Sequence, residues 1–121
     1  MLFRSETWQQ PIDVVVCEGY LGQPMSQAPP REKLEQIVHD CDVIMSSFLQ
    51  NIAPQLAAGT PLCVAAPAWF AYDEVRHLPC IEKLEEFGFE RRTFKTATAS
   101  DLIYHRDDQI VGRELLVLTK K

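Results

Sequence analysis

A chain of 121 residues with 46% hydrophobic and 24% charged residues has the composition of one globular domain, which excludes a disordered polymer. Its formal net charge of −5 and pI near 5.1 oppose the basic surplus that phosphate neutralisation asks of a tight nucleic-acid binder. No apolar run approaches the roughly 20 residues that span a bilayer. The start, Met1 to Trp8, lacks the apolar centre of a signal peptide, so the expectation is a soluble, cytoplasmic, non-membrane protein. The cysteines, Cys17, Cys41, Cys63 and Cys80, are spaced singly and form no CxxC or Cys/His pattern. They read as reduced, buried thiols with no metal to hold.

The chain 1–121 is expected to form a single α/β domain. Residues 12–17, Ile12-Asp13-Val14-Val15-Val16-Cys17, are a short β-branched run and predict a buried strand. The stretch 19–30 holds Gly19, Gly22, Pro24, Pro29 and Pro30 and reads as a loop long enough to carry function. From Arg31 to about Leu56, apolar residues recur at helical spacing from Leu34 through Met45 to Ile52, predicting a long amphipathic helix. Pro54 should kink it and Gly59 close it.

Pro61 to Ala66 predicts a second strand, broken by Pro67-Ala68-Trp69-Phe70. A second helix is expected from about Asp73 or Pro79 to Phe87, with Ile81, Leu84 and Phe87 apolar and Gly88 at its end. The runs 102–106 and 110–119 flank the turn Asp107-Asp108-Gln109, the pattern of an antiparallel hairpin. The first two strands, joined through a helix, should be parallel. The first then delivers Glu18, Gly19 and Tyr20 to the carboxyl edge of a sheet, where open α/β folds bind ligands.

These elements in this order, with the closing runs Leu102-Ile103-Tyr104-His105-Arg106 and Val111-Gly112-Arg113-Glu114-Leu115-Leu116-Val117-Leu118, resemble the second half of a Rossmann-like S-adenosylmethionine-dependent methyltransferase. The likeness is to the RNA-methylase group related to tRNA guanine methyltransferases, whose parallel sheet ends in such an antiparallel hairpin. Val16-Cys17-Glu18-Gly19-Tyr20-Leu21-Gly22 falls where amino-methyltransferases carry an Asp-Pro-Pro-Tyr-like motif, or in some relatives an acid-Pro-Tyr-Leu-Gly form. Gly59 to Val64 is similar to the glycine turn and strand after the family's long helix. The resemblance covers residues 12–120. Cys17 departs from it where the family has Asp, Asn or Thr, and Gly19 replaces the motif's second proline.

The resemblance implies methyl transfer to an exocyclic amine of a base, most readily in RNA. Glu18 would accept the amine's hydrogen bonds and Tyr20 would stack, with Gly19, Leu21 and Gly22 shaping the substrate turn. Gly19 makes that turn looser than proline would. Trp69 and Phe70, leaving the next parallel strand on the same edge, would widen the stacking platform. The plainer alternatives are a solvated strand exit at Glu18 with Tyr20 as a lid, and a hydrophobic cap at Trp69-Phe70. His39, His77 and His105 have no partner at a telling spacing, and Gly112-Arg113-Glu114 reads as structural, with a small residue at a crossing and an ion pair nearby.

The resemblance implies S-adenosylmethionine as the cofactor of the intact enzyme. This chain has no Gly-rich strand-to-helix turn followed by an acidic ribose partner, so by itself it should bind the cofactor weakly and be inert. RNA would then be held through missing domains. The bare edge of strand 12–17 should be covered by residues 1–10, by a missing N-terminal half, or by a two-fold partner. Two other classes are a non-catalytic degenerate half-domain that associates through that edge, and a small-molecule-binding α/β module.

Overall fold

The computed structural model describes residues 11–22, 24–98 and 100–121. Its elements are β1 (Val15–Glu18), α1 (Arg31–Ile52), β2 (Pro61–Ala71), β3 (Glu74–Arg76), β4 (Phe89–Arg91), β5 (Ile103–Tyr104) and β6 (Val111–Lys120), with short 3-10 turns at Ala53–Gln55, Pro79–Lys83 and Ser100–Leu102. The chain is a mixed α/β structure in which one six-stranded sheet runs in the order β1-β2-β6-β4, with β3 on β2 and β5 on β6.

β1 and β2 are parallel, from Val15 opposite Leu62 to Glu18 opposite Ala65, as the helical crossover requires. β2 and β6 are antiparallel, from Pro61 opposite Thr119 to Trp69 opposite Val111. β4 and β5 share the far edge of β6, antiparallel to it. The expected closing hairpin is therefore present, with β5 shortened to two residues and its turn closed by the Gln109 N–H donating to Arg106 O (3.0 Å).

α1 buries Leu34, Val38, Cys41, Met45, Leu49 and Ile52, steps of three or four that keep one stripe on the core. That stripe packs with Leu62, Val64, Ala66, Leu116 and Leu118, and with the half-buried Val15 and Cys17. Each such burial contributes roughly 1.5–3 kcal/mol. The helix ends at Ile52, two residues before Pro54, which opens a 3-10 turn instead. Gly59 (φ +90°) then turns the chain into β2, closed by the Thr60 N–H donating to Ala57 O (3.1 Å).

Cross-strand rows alternate between two faces. Val15–Leu62–Leu118 and Cys17–Val64–Leu116 lie under α1, while Val16–Cys63–Val117 and Glu18–Ala65–Leu115 lie on the opposite face. Among the described residues no helix covers that second face, and Val16 is 75% exposed. Whether residues 1–10 cover the β1 edge lies outside the described residues.

Two expectations are corrected. β2 does not stop at Pro67 but runs to Ala71. Ala65 O accepts from the β1 side, and backbone direction alternates along a strand, so Pro67 also faces that edge. There β1 has ended at Ala65 and β3 begins only at Trp69, so the absent N–H leaves no ladder bond unmade.

The second helix, expected from Asp73 or Pro79 to Phe87, is not formed. Tyr72 and Asp73 both take positive φ (55° and 59°), the two-residue hairpin turn that folds β2 back as β3. Ile81, Leu84 and Phe87 follow at strict spacing of three, which suits a 3-10 face, where side chains three apart eclipse. The segment ends as expected at Gly88 (φ +97°), with the Phe89 N–H donating to Leu84 O (2.9 Å) and the Gly88 N–H to Glu85 O (3.1 Å), the paired bonds of a Schellman ending. Asp42 of α1 ties this segment down by accepting from the Cys80 N–H (2.7 Å).

All four cysteines are free, Cys41 and Cys80 buried and Cys17 and Cys63 half-buried. Burial, with the nearby Asp40 charge second, pushes the Cys41 thiol up to about 11. Burial, with a hydrogen bond to Asp42 second, pushes Cys80 up to about 12. A thiol raised above its unfolded value is neutral in both states at lower pH. Once the unfolded chain ionises first, stability falls as pH rises. We expect the urea midpoint to hold from about pH 7 to about 9 and then fall toward about pH 11, with a shallower alkaline fall in Cys80→Ala. An equal alkaline slope in wild type and variant would show that this thiol does not titrate late.

Candidate functional site at the carboxyl end of β1

The backbone leaving β1 is pinned before it turns. The Gly19 N–H donates to Ala65 O (2.8 Å), extending the parallel ladder by one residue. A Cβ at Gly19 would collide with Met45 Cε and come within 3.0 Å of Ala65 O. The glycine is thus fixed by α1 and β2 rather than loose, and a proline could not make its hydrogen bond. Gly22, at φ +77°, then takes the chain over α1, its Cβ position 3.6 Å from Cys41 Sγ.

Between this exit and β5–β6 lies a cleft of about 480 Å³, lined by Leu21, Gly22, Pro24, Tyr104, Arg106, Gln109, Val111 and Arg113. The expected substrate residues Leu21 and Gly22 are therefore in it. Glu18 stands at its side, where its Oε1 accepts from Arg113 Nε (2.8 Å). Both side chains of that pair are about half exposed (51% and 47%). Tyr20 is exposed two residues beyond Glu18 but does not line the cleft.

Trp69 and Phe70 do not join Tyr20 in a stacking platform. Trp69 is fully buried within β2, its Nε1 without a hydrogen-bond partner among the described residues, so its ring offers no face to an incoming base. Phe70 is already stacked on His105, ring centroids 3.7 Å apart and planes within 9°. His105 is held there by its Nε2–H donating to Gln109 O (2.5 Å). A Cβ on Gly112 would lie 2.9 Å from Tyr104 O and 3.0 Å from Phe70 Cε2, so this crossing needs the small residue its sequence supplies.

The exposed aromatic at the cleft is instead Tyr104, 62% exposed and paired with Arg113 across the β5–β6 ladder. Its cue in the sequence is the short turn 106–109, which places the two residues opposite each other once the hairpin is drawn.

The adjacent Glu114 faces the other way. It is 1% exposed and accepts from His77 Nδ1–H (2.7 Å) and Arg91 Nη2 (3.3 Å). His77, unpartnered by any sequence spacing, thus pairs from an exposed position with the buried carboxylate of Glu114. His39 makes no hydrogen bond to the described residues.

Chemically, the cleft can orient a ligand but offers no activated nucleophile. Desolvation holds the Cys17, Cys41 and Cys80 thiols neutral near pH 7. Among the described residues no three His, Cys, Asp or Glu groups gather as a metal site. What remains is an acceptor at Glu18, an aromatic face at Tyr104, and the donors Arg106, Arg113 and Gln109. No family model matches the chain, and no curated protein is significantly similar to it.

The two ion pairs should separate by burial. Arg91→Met leaves a buried carboxylate short of its cation and is expected to cost about 2–4 kcal/mol of folding stability. Arg113→Met, at a half-exposed pair, should cost less than about 1 kcal/mol. Urea unfolding of both variants measures the difference; equal losses would contradict the assignment of Glu114 as the buried member.

Proposed function

We propose that these residues form the substrate-facing half of a Rossmann-like S-adenosylmethionine-dependent methyltransferase domain that acts on an exocyclic amine of a base, in RNA by preference. The observation that carries the proposal is the exit of β1. A parallel strand pair delivers Leu21 and Gly22 to an open cleft, with Glu18 at its side and Tyr20 exposed next to it, and the sheet then closes with antiparallel strands, in keeping with the family resembled. Glu18 would accept the amine's hydrogen bonds and Tyr20 would stack on the base. The bond from Gly19 to Ala65 fixes the backbone between them, and such fixing is what orientation for in-line transfer requires.

The described residues do not fit the cofactor. α1 opens through Pro29 and Pro30 with no side-chain cap, not through a glycine turn that lets backbone approach a nucleotide. The S-adenosylmethionine site would belong to another segment or another chain, and the described residues would be inert alone.

A second reading, association without catalysis, is favoured by the open sheet face. Val14, just before β1, and Val16 within it are exposed, and Leu115 is exposed on the same face as Val16. An apolar face and a β-branched edge of this kind suit a missing N-terminal half or a second copy of the chain. The two readings are compatible, since a cofactor half would also cover this edge.

Amide-resolved NMR titration of the chain tests the first reading. Guanosine, which carries an exocyclic amine, should shift Glu18 and Tyr20, uridine should shift them much less, and S-adenosylmethionine should leave the spectrum unchanged. Equal shifts from the two nucleosides would remove the amine reading. Micromolar binding of S-adenosylmethionine would remove the claim that the cofactor site lies elsewhere.

A further inference from the structure

The chain as a whole is acidic, yet the charged residues lining the cleft beside β1 are both arginines, Arg106 and Arg113. Neither is saturated. Arg113 commits only its Nε to Glu18, and its terminal nitrogens make no hydrogen bond to the described residues. Arg106 reaches Asp108 at 3.4 Å, with both side chains 63% exposed, a contact of little strength in water. The side-chain amide of Gln109 likewise makes no hydrogen bond to the described residues, its backbone alone being engaged. Tyr104 presents its ring to solvent, and Leu21, Pro24 and Val111 supply an apolar floor.

Two forked cations, an amide, an exposed ring and an apolar floor are the components that recognise a phosphate joined to a flat heterocycle. Guanidinium groups match phosphate oxygens bidentately, and a base stacks on an aromatic ring whatever its identity. An acidic peptide would use the cations but not the ring. We propose that this cleft is a nucleotide subsite for single-stranded RNA. Arg106 and Arg113 hold a phosphodiester and Tyr104 stacks the base attached to it.

The subsite begins at Leu21, three residues beyond Glu18, so it takes the nucleotide that flanks the one presented to Glu18 and Tyr20. In that placement the inference rests on the function proposed above, and it names what the same exit grips besides the target base. It also gives an acidic chain a local means of holding nucleic acid, weakly and without a basic domain.

The probe is a fluorescein-labelled pentamer of uridine, which has no exocyclic amine, read by anisotropy on the full chain at low salt. Wild type should bind it. Tyr104→Ala should weaken binding about tenfold, and Tyr104→Phe should restore it, because the ring and not the hydroxyl is used. Arg106→Ala should weaken binding and reduce the slope of log affinity against log salt by about 0.7, the contribution of one phosphate contact on a single strand. Arg92→Ala, remote from the cleft, should leave both unchanged. All three positions are exposed, and matching amide spectra confirm that the four variants are folded.

Absence of pentamer binding, or wild-type affinity in both alanine variants of the cleft, would overturn the subsite. So would displacement of the pentamer by inorganic phosphate or polyglutamate at equal charge concentration, which would assign the cleft to anions in general. Since the pentamer carries no amine, these outcomes leave the guanosine result at Glu18 and Tyr20 to stand or fall separately.

Discussion

The register between β2 and β6 is the constraint on which the rest of the structure depends. Nine pairs run from Pro61 opposite Thr119 to Trp69 opposite Val111, and both outer columns of the sheet hang from these two strands. Side chains alternate along β6, with Glu114, Leu116 and Leu118 buried and Arg113 and Leu115 exposed. A slip of one residue would carry that whole set to the wrong face. It would expose Leu116 and Leu118 and drive Arg113 under α1 without a partner. The buried carboxylate of Glu114 locks the choice, because it meets His77 and Arg91 on the same side of β6 that buries Leu116 and Leu118. The same register sends Arg113 to the opposite face, where it meets Glu18 and helps wall the cleft.

Much of this was legible in the residues because the signals were local. The stripe from Leu34 to Ile52 gave the helix to within a few residues, and the turn at 107–109 gave the antiparallel closing strands. The parallel pairing of β1 with β2 followed from the crossover alone. Local signals failed where a partner decided the outcome. Pro67 reads as a strand breaker, yet it lies in the gap between β1 and β3, a gap that exists only once both are placed. The 79–87 segment has helical composition but a spacing of three, and a part-buried contact with Asp42 that no local window reveals.

The site was legible in its backbone and illegible in its partners. Glu18, Leu21 and Gly22 could be singled out because an apolar strand breaks there into polar and glycine residues. The partner of Glu18 is 95 residues away, and only the β2–β6 register brings it close. Trp69 was expected at the surface because it was placed after the end of its strand; the longer β2 buries it instead. The aromatic ring that does face the cleft, Tyr104, comes from the opposite end of the chain. Gly19 looked like a weak substitute for proline, but its N–H is the last bond of the parallel ladder. Among the described residues, one face of the sheet leaves Val16 and Leu115 exposed.

The most direct test is the register itself. The Phe70 N–H bonds Ile110 O and the Lys120 N–H bonds Thr60 O, so even-numbered pairs are the hydrogen-bonded ones. The odd pairs are the close, non-hydrogen-bonded ones. Their α-protons face each other across the strands, so solution NMR should show strong α-proton contacts between Cys63 and Val117, between Ala65 and Leu115, and between Pro67 and Arg113. Strong contacts between pairs displaced by one residue, such as Cys63 with Leu116 or Leu118, would contradict the placement of Glu114 and Arg113 and with it the cleft.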